Sequence, residues 1–231
     1  MTALLINLSY ILMIIGQAVL IVITPMLTFI TLSACRRIAR NEQMVLGLWL
    51  EPLRGRRDIR SGLLKLGLLY FVCCLVAGLI ATLPYTANLA ATIDADGQID
   101  PERFASAIQA PMITFGILYI LVSALFWHAP ALIGWHRIKM VQAMFYSMVA
   151  CWRNKWPFLA YGATWAALFM GLQIIGTFLM NAGLSAATAQ IMLTPLNLIM
   201  AAVLYCSFYP VYTQVFGANY PTDESPEAPA H

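Results

Sequence analysis

Residues 3–35 read ALLINLSYILMIIGQAVLIVITPMLTFITLSAC, with no charged side chain from Ala3 to Cys35. A water-facing helix of this length needs a polar face, and none is written here. Laid out as one straight helix the run would measure roughly 50 Å, against a hydrocarbon core of about 30 Å. One crossing is therefore too few for its length. Gly16 and Gln17 lie near its middle and Pro25 lies further on, so the run is read as a helical hairpin with Pro25 kinking or opening the second leg. Leu32-Ser33-Ala34-Cys35 also spells the local pattern of a lipoprotein cleavage site. Against a secretory signal stand the absence of a preceding basic residue, the length of the run and the stop signal at Arg36-Arg37.

The remainder of the chain agrees with a lipid solvent. Of its 231 residues 61% are apolar and 10% charged, with a mean hydropathy of +0.77, where soluble domains carry about 25% charged residues. Four more spans are expected at Lys65 to Leu83, Ala110 to Leu132, Trp156 to Met180 and Ala187 to Tyr209. Together with the hairpin they make about six. A polar stretch from Pro84 to Gln109 holds Asp94, Asp96, Asp100 and Glu102, with a turn signal at Asp96-Gly97. The expected organisation is a single transmembrane domain over residues 1–216 and a disordered cytoplasmic tail over 217–231, where Asp223, Glu224, Pro226, Glu227 and Pro229 fall.

Orientation is read from the basic residues, because short loops rich in Lys and Arg stay in the cytoplasm. Eight of the thirteen lie between Arg36 and Lys65, four more are Arg137, Lys139, Arg153 and Lys155, and Arg103 is the exception. An even number of spans puts both termini in the cytoplasm, and a single crossing by residues 3–35 would move the N-terminus to the other side. The two basic connections are expected to carry interfacial helices. Ile138, Val141, Met144, Phe145, Met148, Val149 and Trp152 recur at three- and four-residue spacing, the pattern of an amphipathic helix. Such a helix lies in the headgroup layer or packs against its own bundle. The Met44 to Leu53 stretch with Trp49 repeats the pattern more briefly. The fold class expected is all-α: a polytopic transmembrane helical bundle, about six spans as three hairpins with interfacial amphipathic helices. A weak threefold repeat agrees with it, in which Thr24-Pro25, Ala129-Pro130 and Thr194-Pro195 occupy corresponding descending legs.

Several motifs carry a resemblance. Phe126-Trp127-His128-Ala129-Pro130-Ala131-Leu132 is followed by Gln142-Ala143-Met144 with Ser147, by Cys151-Trp152-Arg153-Asn154, by Pro157 to Gly162, and by Tyr205 to Tyr212 before Val215-Phe216. In these the chain resembles, over most of its length, a family of uncharacterised Gram-negative inner-membrane proteins. In hydropathy it is similar to the membrane domains attached to some glycerophosphodiester phosphodiesterases. The resemblance implies architecture and a bacterial inner-membrane location, with a lipid-handling role suggested by the phosphodiesterase likeness. The family's basic amphipathic segment before the first span is missing, since Met1 stands almost at the apolar run.

Candidate chemistry is sparse. His128 and His136, eight residues apart, fall about 80° apart on a helix two turns along, a spacing open to a proton relay, a ligand contact or plain hydrogen bonding. Polar residues at membrane depth are Asn7, Ser9, Gln17, Ser123, Gln173, Asn197 and Ser207, which bind a solute or glue helices together. No acidic residue lies within a span, which disfavours coupled transport. There is no P-loop, GxGxxG, HExxH or GxSxG, and Cys35, Cys73, Cys74, Cys151 and Cys206 form no CxxC pair. No enzyme activity, cofactor or metal is expected, and the placing of the basic residues beside spans speaks against nucleic acid. Arg54, Arg56, Arg57, Arg60, Arg153 and Lys155 are candidate contacts to anionic lipid. The expected function is a non-enzymatic inner-membrane protein acting by association with the bilayer and with another membrane protein or a second copy, as accessory subunit, assembly factor or lipid-contacting scaffold. The alternative is a carrier or channel for a lipid or small solute, its site lined by Gln17, His128 and Asn197.

Overall fold

The computed structural model describes residues 2–43, 49–94 and 97–217, the first ten of these by backbone alone. Among the described residues the chain is helical with no strand, apart from an isolated antiparallel bridge between Ile93 and Ile99. Its helices are α1 (Thr2–Ala39), α2 (Arg57–Thr82), α3 (Thr86–Ala90), α4 (Pro101–Ala107), α5 (Gln109–Phe126), α6 (Ala129–His136), α7 (Met140–Arg153), α8 (Lys155–Asn181) and α9 (Ala186–Phe216). Among the described residues five stretches are long and apolar enough to cross a membrane: Leu12–Ala39, Arg57–Ala90, Pro101–His136, Lys155–Asn181 and Ala186–Phe216. The all-α class and the last four expected spans are borne out.

The expected hairpin in residues 3–35 is corrected. Those residues belong to one uninterrupted helix, α1, so the described chain carries two antiparallel pairs and a single helix in place of three hairpins. The reason is the backbone. A turn in apolar sequence exposes N–H and C=O groups that lipid cannot satisfy, whereas a helix satisfies them within itself. Gly16-Gln17 supplies no capping side chain for a turn. Pro25 is absorbed without a break, and the neighbouring Thr24 Oγ1 donates to the Leu20 carbonyl at 2.7 Å.

The helices fall into two compact units. The first comprises the residues up to Leu27 together with Arg57–Met148. Its frame is α2 packed along α5 and α6. α2 buries Ile59, Leu63, Leu66, Gly67, Ala77 and Ala81 along one stripe, yet Leu68, Val72, Leu75, Leu79 and Ile80 on its other sides are exposed. A helix that is apolar all round with half its large side chains bare is built for a non-aqueous solvent. Gly67 is a point of close backbone approach, because a Cβ built there would overlap the backbone carbonyl of Val22 on α1. α2 and α5 also share a hydrogen bond between the Tyr70 and Tyr119 hydroxyls at 3.0 Å. The link between these helices turns at Gly97, whose φ is +76°, and α4 is capped by Asp100, whose carboxylate accepts from the Glu102 and Arg103 N–H groups.

The second unit comprises Thr28–Arg56 and the chain from Val149 onward. Here α8 and α9 form an antiparallel pair joined through Gly183, with φ of +95°, and through the Ser185 cap on the Thr188 N–H. Tyr161 and Ser207 hydroxyls bond across the pair at 2.6 Å. The end of α1 is tied to the following connection by an ion pair from Arg37 to Glu51 at 2.6 Å. The Cys35 thiol lies near that of Cys206 on α9. Of the expected interfacial helix at Met44 to Leu53, residues 44–48 lie outside the described residues, and the rest is a 3-10 turn at Glu51–Leu53.

Two outcomes check this packing. Gly67→Ala should cost about 1–3 kcal/mol by overpacking, read as a lowered unfolding midpoint of the purified chain, while Gly78→Ala on the same helix, where nothing lies within 4 Å, should leave it within about 0.5 kcal/mol. Mild oxidation of membranes with copper phenanthroline should link Cys35 to Cys206, seen as one cross-linked peptide by mass spectrometry. Failure to link this pair, or preferential linkage of Cys206 to Cys73 or Cys74, would contradict the placing of α1 beside α9.

Candidate functional site

The most organised polar feature lies where α5 gives way to α6. Pro130 sits in the first turn of α6, so it lacks an N–H and its ring crowds the carbonyl four residues earlier, opening the ladder on that side. The gap is filled from another helix. Ser147 of α7, fully buried, accepts from the His128 backbone N–H at 3.0 Å and donates to the Ala124 carbonyl at 2.8 Å. These are the two groups, i and i+4, that an unbroken helix would have joined. A single hydroxyl thus takes one rung of the ladder and fastens α7 to the span. The chain then reverses at Arg137, which adopts the left-handed conformation at φ 48°, and the Ile138 N–H reaches the Leu132 carbonyl at 3.4 Å.

This fixing sets the roll of α7. Ala143, Ser147, Ala150 and Cys151 are buried, spaced at i, i+4, i+7 and i+8, the repeat of one helix face. Val141, Phe145, Val149 and Trp152, at i, i+4, i+8 and i+11, lie on the opposite face, turned about 170° away, and all are exposed, Val141 by 73%, Phe145 by 62% and Trp152 by 66%. Small residues therefore face inward and bulky apolar ones outward. Burial pushes the Cys151 thiol up to about 11, which keeps it protonated and unreactive near neutral pH.

At the α7–α8 junction Trp152, Arg153, Lys155 and Trp156 are all exposed, and the Lys155 Nζ stands 5.5 Å over the Trp152 ring. Arg54 is exposed and Arg56 half-buried in the connection before α2, while Arg57 and Arg60 are exposed on its first turn. Gln17 is exposed on α1. His128 is buried, and His136, half-buried, closes the same short helix α6. Asn197 is half-buried on α9 and donates its amide to the Leu193 carbonyl at 3.0 Å, so that group is engaged within its own helix. Gln17 and His128 belong to the first unit and Asn197 to the second. Sequence alone assigns Ser147 no role. The signal that marks it is a hydroxyl on the small-residue face of an amphipathic helix, a short distance in sequence after a proline-broken span.

Among known proteins, no family model matches the chain and no solved structure matches it. It is 31% identical over 212 residues to a probable inner membrane protein of Burkholderia thailandensis, an alignment that takes in 90% of this chain and 78% of the relative. On that extent of identity, together with five helices long and apolar enough to cross a membrane, the chain belongs to the family of that probable inner membrane protein.

Proposed function

We propose that the chain is a non-enzymatic, multi-pass protein of the inner membrane that works by association, as a lipid-contacting scaffold for another membrane protein or for a second copy of itself. The observation that carries this reading is the two-faced helix α7. Its small side is buried and held by Ser147, while Val141, Phe145 and Trp152 stand bare on the opposite side. In water that face is a liability. At a headgroup layer it dips into the acyl boundary with Arg153 and Lys155 beside anionic phosphates.

The distribution of basic residues supports an orientation. With five crossings, the Arg36-Arg37 end of α1, the start of α2, all of α7 and the C-terminus face the cytoplasm, and the N-terminus faces the periplasm. The acidic connection between α2 and α5 then lies outside. Extraction in a gentle detergent followed by native mass spectrometry should find a stoichiometric partner chain or a dimer, with anionic phospholipid retained. Arg153→Gln with Lys155→Gln should lower the retained phosphatidylglycerol several-fold without changing the oligomeric state. A chain that always purifies as a bare monomer would sink the proposal.

A further inference from the structure

The first unit carries a recess at the end of α2 opposite Arg57. It has a volume of about 380 Å3 and is walled by Thr82, Leu89, Ile93, Ile99, Phe104 and Pro111 among others. The hydroxyl of Thr92, a further wall residue and nearly buried, is engaged by the Leu89 carbonyl at 2.7 Å. The Thr82 hydroxyl is likewise turned to its own helix, donating to the Gly78 carbonyl at 2.8 Å, and the other named side chains are hydrocarbon. A space this size would take about a dozen waters at roughly 30 Å3 each, and such walls offer them almost nothing to bond. Thr82 is the last residue of α2 and Pro111 lies in the first turn of α5, so the recess opens where two spans end and is continuous with their apolar surface. Ile93 and Ile99 at its mouth are 52% and 58% exposed. Hydrocarbon is the occupant that this lining and this position fit.

The mouth is acidic. Asp94, Asp100 and Glu102 each stand within two residues of a wall residue, and the one guanidinium among them, Arg103, reaches Asp94 at 3.9 Å and Asp100 at 3.1 Å. Three carboxylates against one cation leave an excess of negative charge. A phosphate-only headgroup is repelled there, whereas a primary ammonium adds charge-assisted hydrogen bonds.

We propose that this recess holds an acyl chain of a phospholipid whose headgroup carries a primary ammonium. It is a lipid site at the end of α2 opposite Arg57. The inference rests on the reading that α2 and α5 cross the bilayer.

The test uses the full chain reconstituted in phosphatidylcholine bilayers doped with either of two probes, phosphatidylethanolamine or phosphatidylglycerol bearing a diazirine on one acyl chain. After irradiation, the ethanolamine probe should label residues 89–111 several-fold more than the glycerol probe, while both label α8 and α9 alike. Leu89→Trp, which fills the recess, should remove the label from residues 89–111 and leave α8 and α9 labelled. Asp94→Asn with Glu102→Gln should retain labelling of the recess and erase the difference between probes. Equal labelling of residues 89–111 by both probes in the unsubstituted protein would overturn the proposal, as would label there that Leu89→Trp does not diminish. Absence of label from α8 and α9 as well would overturn the membrane reading and this site together.

Discussion

A backbone carbonyl and N–H cannot be left open in lipid, and the spans of this protein are shaped by the ways in which that demand is met. Its sharpest expression is the Ser147 hydroxyl, which stands between the Ala124 carbonyl and the His128 N–H. Pro130 opens the helix, and a side chain from α7 closes it. The exchange is close to neutral for the hydrogen-bond count but not for architecture. A helix that would otherwise be free to roll is fixed at one azimuth, and the choice of which face it buries follows.

Other prolines in the spans are handled differently. Thr24 precedes Pro25 and Thr194 precedes Pro195, and each threonine hydroxyl donates to the carbonyl four residues before it, Leu20 and Gln190, at 2.7 Å. These residues stay within long helices, with local back-bonding that tolerates or bends the turn. At Pro130 the relief comes from another element. That difference separates the span that ends in a reversal and an interfacial helix from those that simply continue.

Much of the fold was legible in sequence because lipid writes a strong signal. Lys65 to Leu83, Ala110 to Leu132, Trp156 to Met180 and Ala187 to Tyr209 announce themselves by length and lack of charge, and Met140 to Arg153 by its three- and four-residue spacing. The first run departs from the two legs that its length, Gly16-Gln17 and Pro25 suggest, because Gly16-Gln17 at its middle offers no side chain to cap a turn and lipid would leave the turn's backbone groups open. The roll of α7 was not legible: apolar residues occupy both of its faces, and what distinguishes them is size, Ala143 and Ala150 on one side against Phe145 and Trp152 on the other. Ser147 was hidden for a different reason. Its partners lie about 20 residues back, and no local pattern states that a ladder has been broken at Ala124 and His128. The recess at the end of α2 depends likewise on the bridge between Ile93 and Ile99, which folds two short polar-flanked segments into one apolar wall.

The role of Ser147 as the missing rung of a proline-broken helix is tested most directly by a double-mutant cycle with Pro130, using the unfolding free energy of the purified full chain in detergent. Ser147→Ala should cost about 1–3 kcal/mol in the unsubstituted protein, the cost of leaving buried polar groups open. In a Pro130→Ala background, where His128 can donate to Ala124 directly, the same substitution should cost close to nothing. An equal cost in both backgrounds would contradict the account, since Ser147 would then act independently of the break it is held to close.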